Sequence, residues 1–138
     1  MRQALAILQF ETRGAGLSEI TAEVDAWIRD TGLSEGLLTL LCQHTSASLL
    51  ITENASAAVH RDVLRWLGRA VPEGPDYEHD DEGPDDMPAH IKAMLTGNSL
   101  AIPVSGGRML LGTWQGVFLA EHRARPHQRK VALHLMGD

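Results

Sequence analysis

Four short apolar runs crowd into the last 40 residues: Ser99–Val104, Arg108–Gly112, Val117–His122 and Val131–Leu135. The gaps between them are short and read as turns. Parallel neighbours need a crossover of about a dozen residues or more, whereas antiparallel neighbours need only a turn. Gly106-Gly107 fills the first gap, and two glycines there suit the positive-φ turn of a tight hairpin. The same succession occurs mid-chain. Leu37–Gln43 is a nearly continuous apolar run, as expected of a buried strand. It is followed after a polar cluster by Ala47–Thr52, with Ala47, Leu49 and Ile51 on one face and Ser48, Leu50 and Thr52 on the other. Ala4–Phe10 reads as a further, first strand.

Helices separate these groups. Ser18 is placed to cap a helix carrying Ile20, Val24, Trp27 and Ile28 at helical spacing, and Gly32 closes it. A second helix runs from about Asn54 to Ala70 with a stripe of Val59, Val63, Leu67 and Ala70, and Pro72 stops it. A short third, His90–Leu95, ends at Gly97. Between the last two lies a proline-rich acidic loop, Pro72–Pro88, of a length that is more often functional than not. The order β-α-β-β-α-loop-α-β-β-β-β predicts an α+β fold: a mainly antiparallel, β-sandwich-like core with two longer helices and one short one. A chain of 138 residues is expected to form one domain, residues 1–138, without help from disulfides or metals.

The net charge of −6 argues against nucleic acid as the partner, because phosphate backbones reward clustered Lys and Arg. Basic residues gather only late, as Arg123, Arg125, Arg129 and Lys130, where they face an anionic small molecule or simply water. The single cysteine, Cys42, suits a reducing compartment. With no signal-like start and no apolar run near the ~18 residues a bilayer requires, the expectation is a cytoplasmic protein with no membrane partner.

Three segments can carry chemistry. His44-Thr45-Ser46-Ala-Ser48 joins two strands, and its hydroxyls either hold phosphate or carboxylate oxygens or satisfy local backbone in a polar bulge. The loop from Tyr77 to His90 places Asp80, Asp81, Asp85 and Asp86 between His79 and His90. Imidazole with carboxylate suits zinc, manganese or iron(II), and such density of like charge needs a cation, a proton or a helix N-terminus to relieve it. A solvated acidic loop is the competing reading. In Gly112-Thr113-Trp114-Gln115-Gly116, Trp114 is able to stack on a flat heterocycle and Gln115 to read its edge, or the turn is merely pinned by a buried tryptophan. His60 reads as a partly buried core-edge residue of the second helix, His122, His127 and His134 as hydrogen-bonded structure, and Cys42 as a small hydrophobe. No Walker loop, GxGxxG or GxSxG is present.

Gln43-His-Thr-Ser-Ala-Ser48, Thr52-Glu-Asn54, Tyr77-Glu-His79, Asp85-Asp-Met-Pro-Ala-His-Ile91, Gly112-Thr-Trp-Gln-Gly116 and Glu121-His122 together resemble the YjbQ family, over essentially the whole chain. That resemblance implies a small α+β fold commonly assembled as a homotrimer. It also implies a weak thiamine-phosphate synthase activity, which joins hydroxymethylpyrimidine diphosphate to a thiazole phosphate with loss of pyrophosphate. It groups His44, His79 and His90 as metal ligands, with zinc, manganese or magnesium as the divalent ion. His44, Glu53 and His90 are then the catalytic candidates. Thr45, Ser46, Ser48, Thr113, Trp114 and Gln115 become candidates for binding a small anionic or phosphorylated substrate, and either a divalent metal or Arg125 and Arg129 of a neighbouring subunit would neutralise pyrophosphate. The competing functions are a metal-dependent hydrolase, with Glu53 or Asp86 as general base, and a non-catalytic small-anion binding module.

Overall fold

In a computed structural model describing all residues from Met1 to Asp138, the strands form two antiparallel sheets packed face to face. The chain runs β1 (Arg2–Glu11), β2 (Gly16–Glu19), α1 (Thr21–Thr31), β3 (Gly36–Cys42), β4 (Ala47–Glu53), α2 (Ala57–Ala70), α3 (Asp86–Thr96), β5 (Ser99–Ser105), β6 (Arg108–Met109), β7 (Gln115–Glu121) and β8 (Gln128–Gly137). The larger sheet has the order β1-β8-β3-β5-β6 and the smaller one β2-β7-β4. The fold is α+β, as the strand runs predicted.

Alternation along the strands builds the core. Leu38, Leu40 and Cys42 of β3, Val131, Leu133 and Leu135 of β8 and Ile102 and Val104 of β5 point inward from the larger sheet. Ala47 and Leu49 of β4 and Val117 and Leu119 of β7 meet them from the smaller one. Val24 and Ile28 of α1 join the same cluster, so this helix closes the core. Each such aliphatic side chain contributes about 1.5–3 kcal/mol through the apolar area it removes from water. On the other face of the small sheet, Phe118 packs edge-on against His60 of α2, with ring centroids 4.7 Å apart.

Three helix starts differ from expectation. Ser18 lies within β2 opposite Leu119 and caps no helix. The start of α1 is tied down instead by Thr21, whose hydroxyl accepts the Val117 N–H at 2.9 Å. Helix α2 begins at Ala57, three residues after Asn54, because the Asn54 N–H is engaged by the Trp114 carbonyl. Ala70 lies outside its buried stripe. Helix α3 begins at Asp86 instead of His90, which makes it as long as α1. Pro88 does not prevent this, since a helix's first turn needs no intrahelical donor there. The Gly106-Gly107 hairpin is as expected, with φ of +64° and +77°.

The connections decide what lies together. Residues 43–46 carry the chain from β3 in the large sheet to β4 in the small one. Residues 122–127 carry it back from β7 to β8 at the same end of the sandwich, since Ala47 pairs with Glu121. The Gly112–Gly116 turn sits at the opposite end, where Glu53 pairs with Gln115.

Candidate functional site

Because α3 starts at Asp86, Asp86 and His90 fall one turn apart on the same helical face. Asp86 is buried (2% exposed), which calls for compensation of its charge. Its Oδ1 receives Arg123 Nη1 at 2.9 Å, and its Oδ2 is approached by His79 Nε2 at 2.8 Å and His90 Nε2 at 3.2 Å. The two imidazole rings are tilted, with centroids 5.4 Å apart. His79, Asp86 and His90 each offer one ligand atom, and these atoms all lie within 4.8 Å of one another.

The remaining nitrogen of His90 fixes the tautomer. Its Nδ1 lies 3.0 Å from the Thr45 carbonyl oxygen, which can only accept, so Nδ1 carries the hydrogen. In the neutral ring, Nε2 is then a lone pair aimed at a carboxylate oxygen, a contact that repels unless a proton on Nε2 or a metal ion lies between them. The His79 ring converges on the same oxygen. Ligand atoms bonded at ~2.1 Å and at right angles around a divalent ion stand about 3.0 Å apart, close to the two N···O separations seen. Two histidines and one carboxylate leave further positions open, and a ligating imidazole normally donates its other N–H to a carbonyl or carboxylate.

The surroundings set the charges. The hydrogen bond to Asp86 raises the pKa of His79 above its ordinary value. Burial pushes the Asp86 carboxyl up, but its hydrogen bond with His79 and the nearby charges of His90 and Arg123 outweigh this and hold it low. Arg123 is the hinge of the arrangement: its Nε donates to Asp85 at 3.0 Å and its Nη2 to the Glu82 carbonyl at 2.8 Å.

His44 stands nearby without joining the three ligand atoms. Its Nε2 accepts the Lys130 N–H at 2.8 Å, and burial, then Arg129, lowers its pKa. His44, Thr45 and His90 line a cavity of about 420 Å³ with Ala93, Met94, Gly97 and Asn98. Ser46 and Ser48, from the same segment, face inward. Ser46 Oγ accepts from Arg129, and Ser48 Oγ is bonded to His122 at 2.8 Å and Thr96 at 2.6 Å. Thr113, Trp114, Gln115 and Glu53 lie at the far end of β4 and β7. Six residue steps along a strand put them ~20 Å away, so one copy of the chain does not bring them to the histidines. Trp114 is 62% exposed rather than buried, and Gln115 Oε1 accepts the Gly112 N–H within the turn. Gly116 makes room for protein: a Cβ there would lie 2.6 Å from the Glu19 carboxylate. Arg129 is buried against Glu121 and is not free for a substrate, whereas Arg125 is exposed.

The other histidines have structural partners. His60 binds the Glu53 carbonyl, His127 the Arg125 carbonyl and His134 the Gln3 side chain. Burial raises the Cys42 thiol's pKa. Sequence reasoning missed Arg123 as the support of Asp86, and it named Asp86 as one of four loop aspartates and a general base without singling it out as a ligand. The signal was Asp86-x-x-x-His90, readable only if the helix is started before Pro88.

Residues 6–138 match the family described as "UPF0047 protein YjbQ-like". A UPF0047 protein of Synechocystis sp. is 48% identical over 138 residues, covering 99% of this chain and 94% of that protein. UPF0047 protein YjbQ of Escherichia coli O157:H7 is 43% identical over 132 residues, covering 95% and 96%. Among solved structures, an uncharacterised conserved YjbQ/UPF0047 protein of Clostridium acetobutylicum superposes with a TM-score of 0.83 at 35% identity, covering 94% of this chain and 99% of that one. A conserved hypothetical protein of Thermus thermophilus gives 0.85 at 34%, covering 95% and 99%.

Proposed function

This chain belongs to the UPF0047 YjbQ-like family, and we propose that it is a cytoplasmic, divalent-metal-dependent hydrolase of small molecules centred on His79, Asp86 and His90. One observation carries the reading: two imidazole nitrogens meet one oxygen of a buried carboxylate, while the Nδ1–H of His90 is already given to the Thr45 carbonyl. Zinc, manganese or iron(II) suits such donors better than magnesium, which prefers oxygen. A bound ion would supply a water that ionises near neutral pH. Within the chain, Arg123 holds the second Asp86 oxygen so that the first faces the imidazoles. Glu82, exposed and 3.8 Å from His79 Nε2, is the carboxylate placed to take a proton at the centre. Thr45 and His44 form the wall of the adjoining cavity, where an organic group would rest.

The thiamine-phosphate synthase reaction implied by the family resemblance remains the second reading. Its pyrophosphate leaving group needs positive charge, which a divalent ion and the exposed Arg125 would provide in place of the buried Arg129. Self-association is supported by the outer face of the larger sheet, where Leu5, Ile7, Leu37, Leu41 and Met136 are between 42% and 74% exposed, and the family resemblance implies that the assembly is a homotrimer.

The test is elemental analysis of untagged protein purified without chelator, followed by assay of the metal-loaded sample. Near-stoichiometric metal, with hydrolysis of small esters or phosphoesters that a chelator abolishes, is the expected result. Product from the two thiamine precursors instead would favour the transferase. A ligand retained without any turnover would favour a binding module. No metal, even after ions are added back, would end the reading.

A further inference from the structure

We propose that the buried Glu121–Arg129 ion pair is a positioning device for the histidine centre, acting on His90 through Ser46 and Thr45 and on Asp86 through Arg123. The inference rests on the metal reading above for its purpose, though not for its geometry. Glu121 is 2% exposed and Arg129 is 4% exposed. Arg129 Nε donates to Glu121 Oε1 at 2.8 Å, and its Nη2 donates to the other carboxylate oxygen. A pair of this kind is a poor device for stability alone. Removing two charges from water costs several kcal/mol each, and apolar residues of similar volume often serve as well or better.

What apolar residues would not supply is the pair's outward bonds. Arg129 Nη2 also donates to Ser46 Oγ at 3.0 Å and to the Ser46 carbonyl at 3.4 Å. This pins the crossover at the residue following Thr45, whose own carbonyl holds the Nδ1–H of His90. On the other side, Glu121 Oε2 accepts the backbone N–H of Arg123 at 3.2 Å, and the Arg123 side chain holds Asp86. Glu121 Oε1 is completed by the Thr12 hydroxyl at 2.6 Å. One buried pair thus fixes two arms, one ending on each of two ligand side chains. Outer groups that orient metal ligands typically change affinity 10–100-fold when removed.

The test compares the full-length parent with the double variant Arg129→Met/Glu121→Leu, which removes both charges together. Arg129→Lys serves as a second variant that keeps the charge against Glu121 but lacks the fork reaching Ser46. Two quantities are read: zinc affinity by titration of the chelator-treated protein, and the hydrogen-bonded Nδ1–H of His90, seen by NMR as a slowly exchanging ring proton of the metal-free protein. Both variants, still folded by circular dichroism, are expected to bind zinc 10–100-fold more weakly than the parent and to lose the protection of that proton. Unchanged zinc affinity and an unchanged Nδ1–H signal in either folded variant would overturn the proposal. If the parent itself binds no metal, the metal reading fails, and the Nδ1–H signal alone decides whether the pair positions His90.

Discussion

His122 offers a pH dependence whose sign and size follow from its surroundings. It is buried at the end of β7, and burial, then the charge of Lys92 on α3, lowers its pKa from 6.5 to about 4. Glu121 opposes this and Arg129 reinforces it. In the unfolded chain the imidazole takes up its proton near 6.5, so between that pH and about 4 the unfolded state binds one proton more than the folded one. His122's contribution to stability is therefore full above about pH 6.5 and declines as pH falls toward 4. The whole gap corresponds to about 3 kcal/mol, of which about 2 kcal/mol is lost by pH 5. The perturbation is His122→Gln, which keeps a donor for Ser48 Oγ but does not titrate. Urea unfolding followed by tryptophan fluorescence, at pH 7.5 and pH 5.0 for both proteins at one concentration, isolates the effect, because His44, His79 and the carboxylates cancel in the double difference. With a urea slope of about 2 kcal/mol per molar, the parent's midpoint should fall by about 1 M more than the variant's. Equal pH dependence in parent and variant would show that His122 is not the group whose protonation destabilises the fold.

Three further outcomes follow from the same geometry. Arg123→Ala strips Asp85 and the buried Asp86 of their cation and should cost about 3 kcal/mol in urea, with added zinc restoring part of it. Trp114→Ala removes an exposed ring at the far end of the sandwich, so its stability in urea should stay within about 0.5 kcal/mol of the parent's and its zinc affinity should not change. Gly107→Val forces a β-branched residue to a φ of +77° in the β5–β6 hairpin and should cost about 1–2 kcal/mol, seen as a thermal midpoint several degrees lower.

The β-rich architecture was legible because inward positions on β3, β5, β7 and β8 alternate or run continuously, and because Gly106-Gly107 admits one short connection. Strand β2 was not, since Gly16-Leu-Ser-Glu19 has no strand pattern of its own and exists by pairing with β7. The histidines of the acidic loop were visible as candidates, but which of the four aspartates between them is their partner was not. His44 belongs to the same neighbourhood, yet a backbone amide from β8 occupies its Nε2, a fact of tertiary pairing. Asp86 became the shared oxygen only because α3 starts early, past a proline that reads as a stop in isolation. Likewise Arg129 reads as a free surface cation until the strand alternation of β8 turns it toward Glu121.

The most direct measurement is a zinc titration of chelator-treated protein, comparing the parent with His44→Ala and Asp86→Ser after circular dichroism has shown all three folded. About one equivalent should bind to the parent and to His44→Ala, with affinity reduced roughly 100-fold or more in Asp86→Ser. Binding kept by Asp86→Ser but lost in His44→Ala would contradict the centre built on His79, Asp86 and His90.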